Sequence, residues 1–71
     1  MQTADMQGSH MYVLTLQNNR GATCTLTGTH TPPPGRTRFD TLLQLQADAA
    51  RHLPSMEGAT VLFFAMELNH F

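Results

Sequence analysis

Apolar and polar residues alternate with period two along three stretches of the chain, and a fourth stretch between them follows a helical period. Residues 10–17 read HMYVLTLQ and are rich in strand formers. Tyr12, Leu14 and Leu16 share one face; Met11, Val13 and Thr15 share the other. Asn18-Asn19-Arg20-Gly21 follows, and Asn and Gly tolerate positive φ, so a tight turn is expected there. From residue 22 onward the alternation is strict. Ala22, Cys24, Leu26 and Gly28 fall on one face, and Thr23, Thr25, Thr27 and Thr29 on the other. A half-buried antiparallel strand has this pattern. Residues 10–17 and 22–30 therefore predict a β-hairpin.

Thr31-Pro32-Pro33-Pro34-Gly35-Arg36 reads as a loop, because proline withholds backbone donors and favours an extended conformation. Thr37 fits a helix N-cap, and Asp40 three residues on completes the pattern of a capping box. Residues 38–52 contain no Gly or Pro. Phe39, Leu42, Leu43, Ala49, Ala50 and Leu53 follow helical spacing, with Gln46 as a polar gap and Leu45 off the stripe. His52 suits the negative end of the helix dipole, and Pro54 ends the helix. Residues 55–58 form a turn. Residues 59–68, the most apolar segment, predict a third strand. Strict alternation puts Leu62, Phe64, Met66 and Leu68 on one face, and Val61, Phe63, Ala65 and Glu67 on the other.

The predicted fold is α+β, in the order β-β-α-β. A helix of about 16 residues spans ~24 Å and a strand of eight residues ~26 Å, so the helix can lie along one face of a three-stranded sheet. The crossover from the second strand to the third is expected to be right-handed. Strand order 2-1-3 is preferred over 1-2-3, because the first strand is apolar on both faces and the second is not. The expected core is Tyr12, Leu14, Leu16, Cys24, Leu26, Phe39, Leu42, Leu43, Leu53, Leu62, Phe64, Met66 and Leu68. Over residues 11–68 this order resembles the front end of a ubiquitin-like β-grasp. The later strands of that fold are missing, so its functional associations do not carry over. The Phe63-Phe64 strand ending in Glu67-Leu68-Asn69 also resembles short uncharacterised actinobacterial proteins, a likeness that implies no function.

Composition narrows the picture further. At 71 residues the chain forms one small domain, expected over residues 10–71, with a thin core. Residues 1–9 are polar and aperiodic, and are expected to form a disordered tail or a cloning remnant ending in Gly8-Ser9-His10-Met11. Only 13% of residues are charged against 41% hydrophobic, which argues against disorder for the rest. The net charge of −1, with four Arg and no Lys, excludes binding to nucleic acid by bulk charge alone. The absence of Lys and Ile hints at a GC-rich bacterial genome. The one cysteine, Cys24, excludes a disulfide scaffold and a multi-Cys zinc site. No apolar run approaches the ~20 residues of a membrane span, and no signal peptide is evident. A cytoplasmic location is expected.

Candidate chemistry is sparse. His10, His30, His52 and His70 lack metal-ligand spacing, and Cys24 falls on the core face of its strand. Asp40 belongs to the helix start, Asp48 to a solvated helix face, and Glu67 to the point where the last strand meets water. No catalytic motif is present, and no cofactor or metal is expected. Arg20, Arg36 and Arg38 are candidates for an anion or nucleic-acid site near a helix N-terminus. The back of the sheet stands out more. Met11, Val13, Val61, Phe63 and Ala65 would form an exposed apolar patch, and such patches mark interfaces. The leading expectation is thus a small non-enzymatic protein-interaction module that forms a homodimer through its sheet. Another protein is the alternative occupant of that patch. A small nucleic-acid-binding regulator using Arg20, Arg36 and Arg38 comes second. A small enzyme or ligand carrier with an interface pocket comes third.

Overall fold

The structure, a computed structural model, describes residues 7–71. The first six residues of the expected tail lie outside the described residues. Strand β1 runs His10–Gln17, β2 Thr23–His30, helix α1 Arg38–His52, and β3 Thr60–Leu68. A 3-10 turn, Pro54–Met56, follows the helix. The three strands form one antiparallel sheet in the order β2-β1-β3, and the fold is α+β with a β-β-α-β arrangement. The strand that is apolar on both faces takes the centre, where both faces can be covered.

Local chemistry explains each boundary. Asn18 organises the hairpin turn: its Oδ1 accepts from the N–H groups of Arg20 and Ala22, at 3.0 and 2.9 Å. Gly21 supplies the positive φ of 84° that closes the turn. At the helix start, Thr37 Oγ1 accepts from the Asp40 N–H at 3.1 Å, and the Asp40 carboxylate accepts from the Thr37 N–H at 3.3 Å. This reciprocal capping box satisfies two donors that the helix cannot. At the other end the Leu53 N–H donates to Ala49 O, and Pro54 then stops the helix.

The core lies between α1 and the helix-facing side of the sheet. Leu14, Leu16, Leu45, Ala49 and Met56 are buried together, with Tyr12, Leu26, Leu42, Val61 and Phe64 packed around them. Met66 is buried as well. The helix runs in the same direction as β1, since Asn18 Nδ2 at the end of β1 donates to Ser55 O just past the helix.

Two facial assignments differ from the expectation. On α1 the buried positions are Thr41, Leu45 and Ala49, while Phe39 and Leu43 are 65% and 50% exposed. The buried stripe is therefore turned by about a quarter turn from the one drawn through Phe39, Leu43 and Ala50. That stripe would press Gln46 onto the sheet. The observed stripe buries one polar side chain, Thr41, whose hydroxyl donates to Thr37 O at 3.1 Å. Thr41 and Ala49 are small, and Leu45 is the large apolar side chain between them on the buried stripe.

The second correction concerns β3. Thr15 pairs with Phe63, but Leu16 pairs with Val61, so a bulge leaves Leu62 as an extra residue. Beyond it the alternation inverts. Val61, expected on the back face, turns toward the helix and packs against the core. Leu62, expected in the core, is 52% exposed. Leu68, at the end of β3, is likewise exposed rather than buried.

Candidate functional site

Among the described residues nothing covers the face of the sheet turned away from α1. Across β2 it carries Thr23, Thr25, Thr27 and Thr29, all exposed. Across β1 it carries Met11, Val13, Thr15 and Gln17, and across β3 Phe63, Ala65 and Glu67, placed by the register Thr15↔Phe63, Val13↔Ala65 and Met11↔Glu67. Apolar residues thus concentrate on the β1–β3 half of the face. Phe63 is 54% exposed and Met11 43%, with Val13 and Ala65 half-buried between them. The threonine half is partly self-satisfied, since Thr15 and Thr25 hydroxyls hydrogen-bond across the strands at 3.0 Å. Of the five residues expected at this face, Met11, Val13, Phe63 and Ala65 lie on it. The bulge carries Val61 to the opposite side.

Among the described residues the outer edges of β2 and β3 are both unpaired. Neither strand contains Lys or Pro, the residues that commonly discourage edge pairing. The bulge at Leu62 breaks the regularity of the β3 edge.

The three arginines do not share one patch. Arg20 sits in the hairpin turn, beside the Gln17 end of β1. Arg36 and Arg38 sit at the other end, where they wall a cleft of about 280 Å³ together with His10, Ser9 and Thr37. Eight residues of strand separate these ends by ~25 Å. His10 is the member that sequence reasoning missed. The available signal was the direction of the crossover helix, which brings the start of α1 back over the start of β1.

A second cleft, of about 300 Å³, opens between α1 and the β1–β2 half of the sheet. Tyr12, Leu26, Leu45 and Leu53 line it, with Asp48 and His52 at its margin. The Asp48 carboxylate is paired with Arg51, and the His52 imidazole Nδ1–H donates to Asp48 O at 2.8 Å. These polar groups are occupied within the helix.

The histidines are dispersed. His10 and His30 are register partners across β1 and β2, whereas His52 lies at the far end of the helix. The His30 Nε2 atom is buried and has no hydrogen-bond partner. Among the described residues no group of three or more His, Cys, Asp or Glu side chains could hold a metal ion. Cys24 is half-buried against the core. Among the described residues no helix is long and apolar enough to cross a membrane. The chain matches no protein-family model, no curated protein and no solved structure.

Proposed function

We propose that the protein is a small non-enzymatic interaction module whose open sheet face packs against the same face of a second copy. The observation that carries this reading is the strip formed by Met11, Val13, Ala65 and Phe63. A sheet face built for water would continue the threonine pattern of β2 onto β3, and β3 places Phe63 and Ala65 there instead. Aromatic side chains contribute strongly to interface cores. The Thr15–Thr25 hydrogen bond also lowers the cost of removing water from that half of the face.

The size of the face sets the strength expected. Three strands of eight residues cover about 14 by 27 Å, so two faces bury ~800–1,000 Å² in total. That is below the ~1,600 Å² of a standard stable interface and belongs with weak, exchanging complexes. The proposed dimer is therefore in rapid equilibrium with monomer. Sedimentation equilibrium over a concentration series tests it: the wild type should rise toward twice the chain mass, and Phe63→Asp should remain at one. Leu43→Asp adds the same charge to the exposed side of α1 and should still dimerise.

The nucleic-acid reading ranks second, since it retains only Arg36 and Arg38 once Arg20 is at the opposite end. The ligand-carrier reading ranks third, since the apolar cleft lies within one protomer, on the side of the sheet away from the proposed interface. The single unpaired cysteine suits a reducing compartment, and the Lys-free composition suits a bacterial source. We place the protein in the bacterial cytoplasm on those grounds.

A further inference from the structure

We propose that the cleft at the start of α1 binds a phosphate monoester carried on a small polar molecule. Arg36, Arg38 and His10 wall this cleft of about 280 Å³, and among the described residues no carboxylate lines it. Among the described residues Arg51 with Asp48 is the one arginine–carboxylate pair, so Arg36 and Arg38 are uncompensated. A chain of net charge −1 thus gathers two of its four arginines and a histidine around one concavity.

The backbone that carries the two arginines is fixed, while their side chains are exposed and unpaired among the described residues. Arg36 follows three prolines and Gly35, whose φ of 85° makes the turn, and the Arg36 N–H donates to Pro33 O at 3.2 Å. Arg38 is the first residue of the helix. The His10 imidazole is tied by Nδ1 to Ser9 Oγ at 2.8 Å. Fixing this backbone in advance lowers part of the ordering cost of binding. The capping box occupies the N–H groups of Thr37 and Asp40, so those of Arg38 and Phe39 remain at the helix start. Asp40, near the cleft, accepts from the Thr37 N–H and is not part of the wall.

Charge matching selects the ligand class. A phosphate monoester carries close to two negative charges at neutral pH, which two guanidinium groups balance with directed hydrogen bonds. A monocarboxylate would leave one of them unmatched. The volume is near the lower limit of small-molecule sites, which suits a phosphate group with a small polar remainder at the open mouth.

The test is an amide-shift titration of the full chain with glycerol phosphate, repeated with inorganic phosphate and with acetate at matched ionic strength. The two phosphates should give saturable shifts at the Arg38 and Phe39 amides and at the Arg36 and Arg38 side-chain N–H groups, and acetate should not saturate. Arg36→Gln with Arg38→Gln should weaken glycerol phosphate binding by about tenfold or more. Arg20→Gln and Phe63→Asp should each leave it within about twofold, since distant sites act independently. Unsaturable phosphate shifts, acetate binding as tight as phosphate, or equal weakening by Arg20→Gln would each overturn the proposal. So would an oligonucleotide lacking terminal phosphate that binds more tightly than glycerol phosphate at the same salt concentration.

Discussion

The Cα of Gly8 rests against the backbone of His30 so closely that a Cβ would lie 2.5 Å from His30 N and 2.6 Å from His30 C. Only glycine fits, because the obstruction is main chain and cannot rotate away. The contact docks Gln7–Ser9 across the end of the sheet. The Gly8 N–H donates to Thr29 Oγ1, the Ser9 N–H to Thr31 Oγ1, and the Asn69 N–H to Ser9 O, at 2.9, 3.0 and 2.9 Å. Gly8→Ala should lift this segment. Its exposed hydrogen bonds are worth about 0.5–1.5 kcal/mol each, and partial rehydration limits the loss to about 1–2 kcal/mol. Chemical denaturation measures the loss, and amide exchange at Ser9 and Asn69 should accelerate.

On the helix, Leu45 and Leu43 separate the observed orientation from its alternative. Leu45→Ala should destabilise by about 2–4 kcal/mol, as buried large-to-small changes do. Leu43→Ala should stay within about 0.5 kcal/mol, as exposed substitutions do. Denaturant midpoints for the two variants decide the matter, and a reversal would turn the helix back by a quarter turn.

On β3, Val61→Ala should cost about 1–2.5 kcal/mol through lost burial and the cavity left behind. Leu62→Ala should cost no more than about 0.5 kcal/mol. Equal losses at the two positions would contradict the bulge.

Thr37→Ala removes the hydroxyl half of the capping box and should lower stability by about 1 kcal/mol in thermal or denaturant unfolding. Helix content should persist, because the buried face of α1 rather than its cap holds it to the sheet.

Strand order, the hairpin turn and the helix start were legible because each rests on local chemistry. Asn18 and Gly21 specify a turn, Thr37 and Asp40 a cap, and the two-faced apolarity of β1 a central position. The helix face was not legible from apolar spacing, because its buried stripe is built around small Thr41 and Ala49. What decided it was the avoidance of a buried Gln46 together with the self-satisfied Thr41 hydroxyl. The inversion at Val61 was hidden because nothing in TVLFFAMEL marks a bulge; there is no Gly or Pro, and all five residues from Val61 to Ala65 are apolar. His10 joined the arginine cleft only through tertiary packing, since more than twenty residues separate it from Arg36.

The proposed dimer is tested most directly by mass in solution. Sedimentation equilibrium from about 10 µM to about 1 mM spans the range in which a face of this size should associate. The wild type should climb from near the 7.9 kDa chain mass toward twice that value. Phe63→Asp should hold at the chain mass with its fold intact by circular dichroism. A wild type that stays at the single-chain mass across the whole range would contradict the homodimer, as would a Phe63→Asp variant that associates as the wild type does.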